Sequence, residues 1–253
     1  MQQDFQSRLV GSTLLLPLAV AVFMGGVFAS LAILIVCIFL TIEFATLLSD
    51  KKSSQIFVAV YLALPPAICM LGQLELLALI VLVLGLGAFT YVKGWIPGLY
   101  AASLSLCFSS FVFLVAMPYF PSQLLGVAVV IACVDVGAYM VGKSVGGPKL
   151  APRISPKKTV SGGVGGLVFG MIAGLLVGSA FGLPASMSLV LAALVAFIAQ
   201  LGDLLESALK RQVNVKDSSN FIPGHGGFLD RFDGYVFVMP LLVILNFMIW
   251  SSV

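Results

Sequence analysis

The chain has 253 residues, of which 60% are hydrophobic and 9% charged, with a formal net charge of +3 at pH 7. Its mean hydropathy is +1.16. Soluble globular chains carry about 25% charged residues, so this composition excludes an ordinary soluble domain.

Apolar runs long enough to span a bilayer recur along the chain, and period-2 alternation is absent. Backbone groups in lipid must be satisfied within their own segment, so the sequence predicts an all-α, polytopic integral membrane protein. Breaks at Gly, Pro and charge clusters give about nine transmembrane helices, near 9–24, 26–44, 55–71, 74–92, 98–116, 122–141, 164–181, 186–205 and 234–251. The first two are read as retained spans rather than a signal peptide, because apolar sequence continues to Phe44. Residues 1–120 form an N-terminal group of about five helices, and 121–253 a catalytic transmembrane region with charged loops at 142–163 and 206–233. Cys37, Cys69, Cys107 and Cys133 lie in apolar segments and read as small buried hydrophobes.

The basic residues test this topology. With nine spans, all 13 Lys and Arg fall on one side, which the positive-inside rule makes cytoplasmic. The expected location is the cell (inner) membrane, with the N-terminus and both charged loops in the cytoplasm. Because the cations follow a membrane side and not one soluble face, no nucleic-acid partner is expected.

The sixth span carries Asp135, with Tyr139 one turn on. A carboxylate inside the membrane costs on the order of 3 kcal/mol on insertion scales, so it has a partner or a task. The loop beyond it offers Ser155, Lys157, Lys158 and Thr159, two cations and two hydroxyls in five residues. Attraction to lipid headgroups accounts for the lysines and leaves Asp135 unexplained. Gly162, Gly166, Gly170, Gly174, Gly178 and Gly182 then recur every fourth residue. They form a smooth ridge suited to close helix packing in lipid, with the partner helix left open.

The second loop is denser. If the eighth helix runs past the membrane border, Asp203, Ser207 and Lys210 share one face at i, i+4 and i+7. Arg211, Lys216 and Asp217 follow, then a turn containing His225, Gly226 and Gly227, then Asp230, Arg231 and Asp233 at the entrance to the last span. Three aspartates from two helix ends, among lysines and arginines, are an inventory for holding a metal ion and a polyphosphate together. Asp203 and the Asp230/Asp233 pair are expected to converge on the cytosolic side. His225 reads as a donor to phosphate or an organiser of the glycine turn, because an ionised phosphate nucleophile has no proton to lose.

Residues 207–233 resemble the signature of the phosphatidate cytidylyltransferases (CDP-diacylglycerol synthases). That signature is a serine, two residues, Lys-Arg, four residues, Lys-Asp, then His-Gly-Gly and Asp-Arg-x-Asp. It is filled here by Ser207, Lys210, Arg211, Lys216, Asp217, His225, Gly226, Gly227, Asp230, Arg231 and Asp233. The stretches "ISPKKT" and "DVGAY" are also similar to that family. One departure is Ser161, where the family often has Glu.

The resemblance implies that CTP and phosphatidate give CDP-diacylglycerol and pyrophosphate. It also implies Mg2+ with a possible second cation, a homodimer, and Asp203 and Asp230 as the leading metal ligands with Asp233 next. Ser207, Lys210, Arg211 and Lys216 would hold phosphate oxygens, and Lys157 and Lys158 would receive the lipid phosphate. Two alternatives stand beside it. One is a CTP-dependent polyprenol kinase, or a cytidylyltransferase for another lipid phosphate. The other is an ion-coupled transporter, which would place its ionisable groups near the bilayer midplane, where only Asp135 is expected.

Overall fold

The computed structural model describes residues 16–49, 51–70, 75–117, 119–222 and 226–250. The predicted span at 9–24 lies partly outside these residues, and His225 wholly so. The chain is helical nearly throughout. After α1 (residues 16–24) come α2 (Gly26–Leu48), α3 (Lys52–Met70), α4 (Glu75–Lys93), α5 (Trp95–Val115) and α6 (Phe120–Val145). A short hairpin of β1 (Lys149–Ala151) and β2 (Ser155–Thr159) follows, then α7 (Val160–Ala180), α8 (Ala185–Gln212) and α9 (Leu229–Trp250). Among the described residues, six helices are long and apolar enough to cross a membrane: α2, α3, α5, α6, α7 and α8.

The chain divides into two compact units, Met1–Pro121 with Leu209–Val253, and Ser122–Ala208. In the first unit α5 packs against α3, α4 and α9, and α2 packs against α3. Phe44, Phe89 and Tyr100 are fully buried, with ring centroids 6.2 and 5.7 Å from Phe44 to its two neighbours. Tyr61 on α3 donates to Leu82 O at 3.2 Å. Its ring occupies the space a side chain at Gly85 would need, so α3 and α4 approach through that glycine.

The second unit is built around the glycine ridge, and its partners lie in the same chain. A Cβ on Gly166 would lie 2.9 Å from Val134 O of α6, and one on Gly170 would lie 2.8 Å from Ala196 Cβ of α8. Gly174 and Gly178 meet Ala192 and Ser188 of α8 just as closely. Small residues thus let α7 seat between α6 and α8, where dispersion rather than hydrophobic burial drives packing in lipid. The sixth glycine of the repeat, Gly182, lies past the helix end. At φ +71° it supplies the left-handed turn of a Schellman motif: its N–H donates to Ser179 O at 3.0 Å, and Leu183 N–H to Gly178 O at 2.9 Å.

The first charged loop is more ordered than the sequence predicts. Helix α6 runs on to Val145, and the hairpin pairs Lys149 with Thr159 and Ala151 with Ser155. Thr159 then caps α7, its Oγ1 accepting from Gly162 N at 3.1 Å. Helix α8 continues beyond the predicted 205 to Gln212, so Asp203, Ser207 and Lys210 all lie on it. It ends in a second Schellman motif with Asn214 in the left-handed position (φ 58°). There Asn214 N–H donates to Arg211 O at 3.2 Å and Val215 N–H to Lys210 O at 2.9 Å.

Candidate active site

The sequence-predicted residues fall into two clusters, one in each unit. In the second unit a cavity of about 460 Å3 is lined by Asp135, Tyr139, Gly142 and Lys143 of α6, Lys149 of β1, Lys157, Lys158 and Thr159 of β2, Gly162 and Gly163 of α7, and Gln200 and Asp203 of α8. Helix periodicity aligns Asp135, Tyr139 and Lys143 at i, i+4 and i+8; Lys143 Nζ lies 3.4 Å from Tyr139 Oη and 5.5 Å from its ring centre. The hairpin turns Lys158 toward α8, where its ammonium pairs with Asp203 Oδ2.

Four lysines and two aspartates line this cavity, a charge balance that suits a multiply charged anion. Ser155 precedes the lining residues on β2 and is half-buried. Ser161, at the family's departure position, bonds with Thr159 Oγ1 at 3.1 Å and donates to Gly146 O. It ties the α6–β1 turn to the start of α7, a task that needs a hydroxyl donor rather than a charge.

The first unit holds the signature loop. Lys210 Nζ lies 2.5 Å from Asp230 Oδ1. The other oxygen, Oδ2, accepts from Ser218 N at 3.0 Å, Ser218 Oγ at 3.0 Å and Gly227 N at 2.8 Å. Burial alone pushes the Asp230 carboxyl pKa up. The Lys210 hydrogen bond, the Gly227 amide, the Lys210 charge and the Ser218 amide outweigh it and hold the carboxyl below its ordinary value.

Gly226 has φ +80°, and a Cβ there would crowd Asp230 Oδ2 at 2.5 Å. The glycines of this turn therefore let the backbone close on the carboxylate. Arg211 donates to Val215 O at 3.2 Å, while Asp233 Oδ1 accepts from Gly234 N at 2.6 Å. Lys216, Asp217 and Arg231 are exposed.

One residue of this loop's surroundings was missed by sequence reasoning. Glu43 of α2 is fully buried, and its carboxylate accepts four hydrogen bonds from the signature loop. Oε1 takes Ser219 Oγ at 2.6 Å and Phe228 N at 2.8 Å; Oε2 takes Ser218 Oγ at 3.1 Å and Leu229 N at 2.8 Å. The available signal was the residue itself, an acid in an otherwise apolar span. One turn before it, Phe39 stacks on Phe228 with centroids 4.6 Å apart and planes 6° apart.

The two clusters answer a metal differently. Among the described residues no group of three or more His, Cys, Asp or Glu side chains is gathered to hold a metal ion. The cavity chemistry fits one that arrives on a polyphosphate: Mg2+ keeps waters and phosphate oxygens and takes few carboxylates, and Asp135 and Asp203 supply these. Asp230, with both oxygens committed to protein donors, fits a ligand role only by exchanging Lys210 for the cation.

A polytopic helical membrane protein with a lysine-lined cavity and a carboxylate–lysine signature loop is the class these features define. The family model for the cytidylyltransferase family matches residues 6–249, and the chain belongs to that family. It is 42% identical over 173 residues to the phosphatidate cytidylyltransferase of Bacillus subtilis (strain 168), covering 67% of this chain and 64% of the relative. It is 36% identical over 113 residues to that of Brucella suis biovar 1 (strain 1330), covering 44% of this chain and 42% of the relative. Against that of Staphylococcus aureus (strain COL) it is 44% identical over 113 residues, with 44% of each chain covered. The matches thus span less than two thirds of these relatives' own lengths.

Proposed function

We propose that the protein is a phosphatidate cytidylyltransferase that converts CTP and phosphatidate to CDP-diacylglycerol and pyrophosphate. The observation that carries this reading is the lysine-lined cavity beside Asp203, in a chain of the cytidylyltransferase family.

Both substrates are anions, so positioning and charge neutralisation supply most of the catalysis. A phosphatidate phosphate oxygen attacks the α-phosphorus of CTP. The new P–O bond forms as the bond to the β-phosphate breaks, and pyrophosphate leaves with the released electron pair. Lys157 and Lys158 receive phosphate oxygens at a wall that Gly162 and Gly163 of α7 also line. The Lys158–Asp203 pair ties β2 to α8; when phosphate arrives, Lys158 turns to it and frees a carboxylate oxygen. Mg2+ held in the cavity by Asp203, with Asp135 beside it, would neutralise charge developing on the departing pyrophosphate.

Lys210, Arg211, Lys216 and Arg231 are the cations of the signature loop, and Ser207 and His225 its further donors. The protein works as a homodimer in the cell membrane, with the N-terminus and the site toward the cytosol, where CTP is dissolved and the lipid phosphate lies at headgroup level.

Purified full-length protein in detergent, given CTP, phosphatidate and Mg2+, is expected to release pyrophosphate and form a CDP-lipid in equal amounts. Release of CDP instead, with a phosphorylated polyprenol as product, would replace this reading by the lipid-kinase alternative. No turnover with either lipid would overturn it.

A further inference from the structure

We propose that Glu43 is a positioning residue for cytidylyl transfer, an acceptor-only anchor that sets the signature loop and, through it, Asp230 against Lys210. The inference rests on the transfer reaction proposed above. Glu43 is 0% exposed, and a carboxylate withdrawn from water is costly unless its oxygens are filled.

All four of the bonds described to its side chain come from residues 218–229, none from its own helix. Two of the donors, Phe228 N and Leu229 N, are free amides at the start of α9, where a negative charge is favoured by the helix dipole. The third and fourth are hydroxyls that bind the opposite end of the same loop. Glu43 therefore ties Ser218 and Ser219 to the start of α9.

The clamp reaches the Lys210–Asp230 pair through one atom. Ser218 Oγ lies 3.1 Å from Glu43 Oε2 and 3.0 Å from Asp230 Oδ2, so the two carboxylates share the one proton of this hydroxyl. Gly227 belongs to the same arrangement. A Cβ there would lie 2.5 Å from Glu43 Oε2 and would overlap Ser218 Oγ, so the glycine makes room for the carboxylate.

Glutamine has the shape of glutamate but cannot replace it here. Each carboxylate oxygen faces a backbone N–H, so either orientation of the amide would turn its NH2 on a donor that cannot reverse. Loss of a hydrogen bond to a charged group predicts a fall of about tenfold or more in kcat for E43Q, with KM for CTP within about threefold of wild type, because Glu43 does not touch substrate.

The test uses full-length E43Q, S218A and the double variant in detergent. Turnover is expressed per folded molecule, counted by gel filtration and thermal melting. The double variant is expected to lose no more than about twofold beyond E43Q, because the two residues act in series. A lower melting temperature with full kcat per folded E43Q molecule would overturn the proposal, as would losses that multiply in the double variant. Should E43Q not fold, S218A decides alone: reduced kcat at normal yield supports the clamp, and unchanged kcat overturns it. A wild-type protein that forms no CDP-lipid would count against the reaction instead.

Discussion

Lys210 and Asp230 lie twenty residues apart in sequence and 2.5 Å apart in space, at the last turn of α8 and the first of α9. Each charge sits where the local helix dipole favours it, a cation at a C-terminus and an anion at an N-terminus. The pair thus joins two helix ends that the signature motif places on either side of a loop.

Replacing Asp230 with Asn should lower kcat by about a hundredfold, the scale seen when a charge-organising group is removed from a reaction centre. The substitution also tests linkage. Because the folded carboxyl lies below its unfolded value, its stabilising contribution is full at neutral pH and is lost as pH falls through the depressed folded value. Wild-type protein melted in detergent from pH 7 downward should lose stability in that acid range. D230N should melt lower at pH 7 and show a flatter acid limb, and an acid limb identical to wild type would show that Asp230 is not the responsible group.

Lys158 and Asp203 make the corresponding ion pair in the cavity of the second unit. Both side chains are about a third exposed, at 29% and 34%, so the pair adds little to stability. Its value lies in keeping an ammonium at the cavity wall. K158Q should therefore raise KM for CTP, for phosphatidate or for both by about tenfold, while leaving the melting temperature nearly unchanged. D203N should remove turnover at saturating CTP and normal yield. Steady-state kinetics over a range of Mg2+ concentrations checks both, and a D203N variant with the wild-type rate and Mg2+ dependence would place the carboxylate outside the metal's reach.

The helical membrane architecture was legible because apolar runs are properties of whole segments. The signature residues were legible because their spacing is local. Glu43 was hidden for the opposite reason. It binds Ser218 from 175 positions away, and hydropathy averaged over α2 absorbs one acid among many apolar neighbours. The hairpin at 149–159 escaped notice because three- and five-residue strands are too short for a period to show. Gly182 fitted the ridge by spacing, but the chain had already turned at Phe181, and spacing alone does not mark where a helix stops. That the ridge packs on Ala192, Ser188 and Val134 of its own chain is tertiary information, which a one-helix pattern cannot carry.

Thr159 couples the hairpin to the helix that walls the cavity. It is buried, ends β2 and caps α7, so T159V should cost about 1 kcal/mol of stability through the lost cap. It should also weaken CTP binding, since the start of α7, which lines the cavity with Gly162 and Gly163, would no longer be held in place. T159S keeps the hydroxyl and should retain both properties. Isothermal titration with CTP alongside thermal melting separates the two effects. Equal CTP affinity in T159V and wild type would reduce the residue to a structural cap.

The glycine ridge makes a prediction in which damage and repair are both specified. A methyl group at position 174 would overlap Ala192 Cβ of α8 and would also come into contact with Val130 of α6 at 3.6 Å. G174A should therefore cost about 1–3 kcal/mol, as overpacked cores do, despite alanine being the better helix former. Removing the opposing methyl in G174A/A192G should recover most of that loss, less about 0.5–1 kcal/mol for a second glycine in a helix interior. Thermal melting of the single and double variants in the same detergent reads the result. If A192G fails to restore G174A, the two helices are not in contact at this level of the ridge.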